Sequence, residues 1–174
     1  YQQIVTRPNI RDLAVGEFIY VLTDTELEAF GRAGGRLWVV DIPNGEGIIA
    51  DATRNQVYIR TDDATFLSID GQTGSETARF DQPHTELGGT PTVAAHGGYL
   101  AVATWSFMTI LSPSGEVAYD NTVDGAVSDV GLFNDRAVVV YKDGRAECIN
   151  EFESFWTLSP SIEWVAQAGD GSLI

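Results

Sequence analysis

The 174-residue chain is long enough for one compact domain, and its 44% hydrophobic and 10% aromatic residues exclude a disordered chain. It carries 25 Asp and Glu against 10 Lys and Arg, a formal net charge of −15, which makes duplex nucleic acid and anionic membranes poor partners. One cysteine, Cys148, excludes an internal disulfide and a cysteine-rich zinc site, and no apolar run approaches the ~18 residues that span a bilayer.

The acidic residues are scattered along the chain, and Lys142 is its single lysine. This composition predicts a solvated carboxylate surface over an ordinary core. Such a surface resembles that of proteins from salt-loving archaea, where high salt screens the repulsion; an ordinary acidic protein stays the alternative. No signal peptide is visible, which favours a cytoplasmic location, although the chain starts at Tyr1 without a methionine.

Similar segments recur along the chain at a period of about 40 residues. They cover approximately residues 10–47, 48–90, 91–126 and 127–161, and residues 162–174 match the start of a fifth. Equivalent positions near the end of the second run are spaced 38, 43 and 37 residues apart: Thr23, Thr61, Thr104 and Tyr141. We expect residues 1–174 to form a single domain built from these repeats.

Each repeat contains four short runs rich in β-branched and aromatic residues, separated by turns with Gly, Asp, Asn or Ser-Gly. This pattern predicts a four-stranded antiparallel meander, and repeats of this length with four strands are typical of β-propeller blades. Residues 25–30 have helical propensity, but their register matches the third strand of the other repeats. The predicted fold class is therefore all-β, a β-propeller of about four complete blades plus a partial or composite fifth.

The second repeat, over residues 57–80, is the most regular and resembles the PQQ-like repeat family. In that family an Asp and a Thr-Gly pair close the turn before the fourth strand, and a Trp four residues later docks on the neighbouring blade. Trp38 follows Gly34 at this distance and Tyr119 follows Gly115.

Two repeats depart from this motif. The second has Ala78 where Trp is expected, and the fourth keeps Trp156 but has Phe152 at the Gly position. The resemblance extends over nearly the whole chain and implies a propeller fold. It does not select a function, because the same repeat serves dehydrogenases, assembly scaffolds and sensors.

The ends of the chain leave two arrangements open. Residues 1–6 and 162–174 join into one composite blade that closes a small ring, or the chain is an arc of a larger propeller of six to eight blades. An open arc exposes two apolar blade faces and is expected to self-associate. We favour the arc.

Candidate reactive residues are few. His84 and His96 occupy different places in their repeats and are predicted to be surface turn residues. Residues 120–125 resemble the start of a calcium loop, but the twelfth position is Gly131 rather than Glu, which favours a turn between blades. Asp62 and Asp63 belong to the turn chemistry of the repeat. We therefore predict no catalytic, cofactor-binding or metal-binding residue, and Cys148 is expected in the core.

The function predicted from these features is a non-enzymatic binding, scaffold or sensory module for a protein partner. The alternative is part of a quinone-dependent dehydrogenase or another small-ligand propeller completed by residues outside this chain. Such enzymes resemble this repeat but use an eight-bladed ring, calcium and often an adjacent cysteine pair, which four repeats and one cysteine do not supply. No cofactor is therefore expected. A third possibility is an oligomerising domain in which two arcs complete one ring.

Overall fold

The computed structural model describes residues 9–133, 136–150 and 153–158, with side chains as far as residue 149. The described chain is built from sixteen strands and one short 3₁₀ turn, Thr85–Leu87. It forms two compact units, Tyr1–Asp81 (unit 1) and Gln82–Ile174 (unit 2). Within the described part, no helix is long and apolar enough to cross a membrane.

Each unit contains two four-stranded sheets. The strands of unit 1 are β1 (Ile10–Val15), β2 (Ile19–Thr23), β3 (Glu26–Phe30) and β4 (Arg36–Asp41) in one sheet, and β5 (Gly45–Asp51), β6 (Gln56–Thr61), β7 (Thr65–Asp70) and β8 (Glu76–Asp81) in the other. The strands of unit 2 are β9 (Thr92–His96), β10 (Tyr99–Thr104), β11 (Phe107–Leu111) and β12 (Val117–Thr122), followed by β13 (Val127–Phe133), β14 (Arg136–Tyr141), β15 (Ala146–Asn150) and β16 (Glu153–Leu158).

Every sheet is an antiparallel meander in which consecutive strands are neighbours. The predicted all-β architecture of four four-stranded blades is confirmed. Residues 25–30, which have helical propensity, lie mostly in β3, because that run can bury its apolar side chains as a central strand. Strand β5 begins at Gly45, inside the segment assigned to the first repeat from the sequence.

The central strands are buried on both faces and the fourth strand of each of the first three sheets is largely exposed. In β2 and β3 four of five residues are buried, whereas β4 alternates between exposed and half-buried side chains. The two sheets of a unit share one apolar core, which covers the faces that they turn toward each other. Such strands are apolar throughout, without the alternation of a one-sided sheet.

Trp38 of β4 joins the two sheets of unit 1. Its indole Nε1 donates a hydrogen bond to the carbonyl of Gly71, 3.0 Å away, and its ring lies against Tyr20. A Cβ on Gly71 would lie 2.3 Å from the Tyr20 hydroxyl oxygen, so the close approach requires glycine there. The predicted docking of this tryptophan on the neighbouring blade is confirmed. Tyr119 packs against the core of unit 2.

Several predictions fall outside the described part of the chain. They concern residues 1–6 and 162–174, which bear on a fifth blade, and Phe152. The strand that contains Trp156 is described, but its side chain is not. The prediction of a single domain, and the choice between ring and arc, therefore stay predictions.

Candidate functional site

The structure corrects the prediction for His96. Rather than a surface turn residue, it is the last residue of β9 and only 6% exposed, with its ring 5.7 Å from that of Phe133. The turn lies one residue later, where Gly97 and Gly98 both have positive φ. A histidine that ends a strand can be covered by the neighbouring sheet, which the local sequence does not reveal.

His84 lies in the connection before β9, as predicted, but its ring is packed rather than free. Its side chain is 20% exposed, stacks on Phe107 at 4.4 Å between centroids, and places Nε2 2.7 Å from Asp120 Oδ1. The hydroxyl of Thr109 donates to the same carboxylate oxygen at 2.8 Å. Because Thr109 contacts the carboxylate and not the imidazole, this trio fixes the connection and lacks the geometry of a nucleophilic triad.

The two ionisable groups of this trio shift in opposite directions. The hydrogen bond to Asp120 raises the pKa of His84 above its usual value, although partial burial opposes it. Burial acts against the charge of Asp120, but the hydrogen bonds from His84 and Thr109 outweigh it and lower the pKa of Asp120. The pair is therefore an ion pair at mildly acidic pH.

The segment that resembled a calcium loop is divided between a strand and a turn. Asp120 lies in β12, whereas Asp124 lies in the connection to β13 and pairs with Arg145 at 2.9 Å. The prediction of a turn is right only for the second half, because the strand ladder extends to Thr122. In the described part of the chain, no three His, Cys, Asp or Glu residues are grouped to hold a metal.

The two remaining sequence predictions agree with the structure. Asp63 closes the turn between β6 and β7: its carboxylate accepts a hydrogen bond from Thr61 Oγ1 at 2.5 Å, which lowers the pKa of Asp63. Cys148 is buried in β15, and its burial raises the pKa of the thiol.

Unit 2 contains an open cavity of about 220 Å³ at one end of its sheets. Its walls come from the segment before β9, the turn between β10 and β11, the start of β13 and the turn after β14. The lining residues are Gly88, Gly89, Thr90, Thr92, Ala103, Thr104, Trp105, Ala126, Val127 and Lys142.

Trp105 and Lys142 form the exposed rim of this cavity. Trp105 has φ of 55° and is 58% exposed, and its Nε1 donates to the carbonyl of Gly88 at 3.1 Å. The Lys142 ammonium nitrogen lies over the indole, 5.8 Å from the ring centroid, within cation–π range. Among the described residues, no carboxylate lies within ion-pair distance of this ammonium.

Thr104 lines the cavity and has a buried, unsatisfied hydroxyl. The residue is 4% exposed, and its Oγ1 has no hydrogen-bond partner among the described residues. The equivalent threonines of unit 1 are satisfied locally: Thr23 Oγ1 donates to Glu26 O at 3.1 Å, and Thr61 Oγ1 to Asp63 Oδ1 at 2.5 Å. A buried hydroxyl without a partner is costly, so a ligand acceptor that Thr104 reaches by turning its side chain would recover this energy.

Backbone hydrogen bonds identify the region of unit 1 that is equivalent to the cavity of unit 2. Ile42 N donates to Thr25 O as Val123 N donates to Ser106 O, which makes Asp24 the equivalent of Trp105.

The neighbouring turn gives a second equivalence. Asp62 N donates to Asn44 O as Lys142 N donates to Ala126 O, which makes Asp62 the equivalent of Lys142. The two acidic positions of unit 1 are therefore a tryptophan and a lysine in unit 2.

In unit 1 the side chain of Arg11 fills the region that is equivalent to the cavity. Arg11 Nε lies 2.5 Å from Asp24 Oδ1, and Arg11 Nη1 donates to the carbonyl of Gly45 at 3.3 Å. The hydrogen bond to Asp24 raises the pKa of Arg11, although desolvation opposes it, and the charges of Asp24, Glu46 and Asp62 raise it further. The pairings Asp12–Leu22 and Thr92–Ala103 place Pro91 at the position of Arg11 in unit 2, so unit 2 has no arginine there.

A second cavity, of about 230 Å³, lies in unit 1 at the turn between β1 and β2. Its lining includes Val15, which is 76% exposed, and Arg32. No lining residue has a buried polar atom without a partner. The cavity of unit 2 is therefore the better candidate for a binding site.

Sequence reasoning missed Trp105, Lys142 and Thr104. Two signals were present: Lys142 is the single lysine of an acidic chain, and Trp105 follows the repeated Thr where the first two repeats have Asp. Neither signal shows that the side chains of Trp105 and Lys142 meet, because the two residues are 37 positions apart and lie in two different turns.

No protein-family model matches the sequence, and no curated protein matches it. Its fold is similar to Hsv2 from Kluyveromyces lactis, with a TM-score of 0.71 at 11% identity over 94% of this chain and 54% of that one. Hsv2 from Kluyveromyces marxianus is similar too, with a TM-score of 0.68 at 9% identity over 94% of this chain and 53% of that one.

The chain thus spans about half the length of the solved structures that it matches. At this identity the likeness concerns the fold alone. Together with the four antiparallel four-stranded sheets, it shows that the chain has a β-propeller fold.

Proposed function

We propose that this chain is a non-enzymatic binding module that holds a segment of a partner protein at the cavity of unit 2. The observation that carries the proposal is the difference between equivalent places in the two units. Unit 1 fills its place with the Arg11–Asp24 pair, whereas unit 2 presents an exposed tryptophan and the single lysine beside a buried, unsatisfied hydroxyl.

The composition of the cavity supports a protein ligand. Exposed tryptophans are among the residues that contribute most to binding at protein interfaces, and here the ring is held in place by the hydrogen bond to Gly88. The cavity of about 220 Å³ is smaller than the roughly 300–1,000 Å³ of typical small-molecule and cofactor sites. It is suited to one or two side chains of a partner.

The propeller scaffold is compatible with this role. The finer assignments, to the PQQ-like repeat and to a salt-loving source, stay predictions from the sequence. A salt-loving source predicts that the module works at high salt, where the repulsion among 25 carboxylates is screened.

The proposal can be tested by photo-crosslinking in the source cells. A photoreactive phenylalanine analogue replaces Thr90 on the rim of the cavity, and a control carries it at Leu37, which is 51% exposed on β4 in unit 1. We expect a protein crosslink at position 90 that excess unlabelled chain suppresses and excess Trp105→Ala chain does not. Equal crosslinking at positions 90 and 37, or suppression by both competitors, contradicts the proposed site.

A further inference from the structure

We infer that the cavity of unit 2 takes the carboxylate of a glutamate side chain from an extended segment of the partner. This inference rests on the proposed function and adds the chemistry of the ligand. The glutamate would occupy the place that the Arg11 side chain fills in unit 1.

The equivalent regions of the two units carry opposite charges. In unit 1 a guanidinium is held by Asp24 and stabilised by the charge of Asp62. In unit 2 the position of Asp62 is Lys142, the position of Asp24 is the neutral Trp105, and Pro91 replaces the arginine. The charged residue at this position is therefore positive in unit 2 and negative in unit 1, so the complementary ligand of unit 2 is an anion.

The cavity of unit 2 has the size of one side chain. In unit 1 one side chain, Arg11, extends from Asp24 to the carbonyl of Gly45, the residue equivalent to Val127. The volume of about 220 Å³ in unit 2 is likewise suited to one side chain. A glutamate offers an apolar stem of two methylene groups that can pack on Ala103, Val127 and Trp105, below its charged head.

Hydrogen-bond donors carry the third step. The Lys142 ammonium has no carboxylate partner among the described residues, and its position over the indole keeps it at the rim. The Thr104 hydroxyl has no acceptor there either. A carboxylate accepts from the ammonium at the rim, and from the hydroxyl once rotation of the Thr104 side chain turns Oγ1 into the cavity; hydrogen bonds to an ionised group are stronger than those to a neutral amide.

The net charge of −15 limits how many carboxylates the ligand carries. A run of acidic residues would be repelled by the surrounding surface, whereas a single glutamate between neutral residues meets Lys142 at small cost. The expected ligand is therefore one glutamate in a neutral, extended segment.

The test uses the full chain labelled with ¹⁵N-lysine, which yields one backbone amide signal because Lys142 is the single lysine. The probes are the blocked peptide acetyl-Ala-Val-Glu-Val-Ala-amide and its counterpart with Gln in place of Glu. We expect a saturable shift of the Lys142 signal with the Glu peptide and at least about 10-fold weaker binding of the Gln peptide. Equal affinities, or no shift with either peptide up to about 10 mM, overturn the inference.

Variants of the cavity sharpen the result, with ¹⁵N-tryptophan indole signals as the readout. Lys142→Met is expected to remove the preference for Glu over Gln, and Lys142→Arg to retain it. Thr104→Val is expected to weaken the Glu peptide about 3-fold or more without lowering the unfolding temperature. A Lys142→Met chain that still prefers the Glu peptide contradicts the inference.

The outcome is separable from that of the proposed function. If photo-crosslinking at position 90 captures a partner while the Glu and Gln peptides bind alike, the ligand chemistry is wrong and the binding module stands. If the crosslink is absent too, both proposals fall.

Discussion

The turn that joins β2 to β3 in unit 1 and the turn that joins β10 to β11 in unit 2 have the same length and the same place in their sheets. In the first, the Thr23 hydroxyl bonds to both the N–H and the carbonyl of Glu26, and Asp24 pairs with Arg11. In the second, the Thr104 hydroxyl is unsatisfied and Trp105 is exposed beside a cavity.

This difference shows how a repeat can keep its backbone while changing its surface. The backbone N–H groups of Ile42 and Val123 each donate a hydrogen bond of 2.7 Å to the adjacent turn, so the two turns have the same backbone support. The side chains at these turns form an ion pair in unit 1 and border an open cavity in unit 2. Function in such a fold is placed on individual positions of the scaffold.

The largest expected effect comes from the joint between the sheets of unit 1. Trp38→Ala removes the contact with Tyr20 and the hydrogen bond to Gly71, and we expect a loss of about 3 kcal/mol in the free energy of unfolding. Tyr119→Ala in unit 2 should cost less, because a smaller ring buries less surface. Urea unfolding followed by circular dichroism measures both, with the exposed Leu37→Ala as control. A Trp38 effect no larger than that of Leu37 would contradict the docking role.

The paired threonines provide the next effect. Thr23→Val is expected to destabilise the chain by about 1–2 kcal/mol, because two hydrogen bonds of the turn are lost and the backbone groups of Glu26 lose a partner. Thr104→Val removes a hydroxyl that has no partner and is expected to be neutral or stabilising. Equal losses in the two variants would mean that Thr104 is satisfied in the folded chain, and the contrast between the turns would fail.

A smaller effect depends on pH. The raised pKa of His84 means that its ion pair with Asp120 stabilises the fold fully below the unfolded histidine value of about 6.5. This stabilisation is lost as pH rises through the folded pKa of His84. The lowered pKa of Asp120 adds stability above its unfolded value of about 4, which is lost as pH falls.

We therefore expect stability to decline by roughly 1 kcal/mol or less from pH 6 to pH 9, and this decline to disappear in His84→Gln. Thermal unfolding at fixed ionic strength across this range is the measurement. His96→Gln is a poor control because that residue is buried; Asp143→Asn, on an exposed turn, is a better one. An unchanged slope in His84→Gln would show that another group titrates.

The smallest change in stability is expected from exchanging the surface chemistry of the two units. The double variant Pro91→Arg with Trp105→Asp introduces into unit 2 the pair that Arg11 and Asp24 make in unit 1. We expect little change in unfolding temperature, because exposed ion pairs contribute little. Binding of the Glu peptide should be lost, because the new guanidinium occupies the cavity. Retained binding would show that the peptide contacts another surface.

Much of the fold follows from local sequence. The repeated Val, Ile, Tyr and Thr runs with Gly and Asp turns predicted the strands, and the resemblance to the PQQ-like repeat implied the docking of Trp38. The site was not predictable in this way. His84 and Asp120 are 36 residues apart, and the burial of His96 depends on Phe133 in the next sheet.

The sequence by itself determined the blades, since strand propensity, period-two pairing and turn residues act over a few neighbouring residues. The tertiary structure alone decided which side chains meet at the ends of the strands. Trp105 and Lys142 face each other because the sheets of unit 2 pack side by side and bring two separate turns together. Whether such a place closes, as around Arg11, or stays open, as around Trp105, depends on charges and hydrogen bonds between residues far apart in the chain.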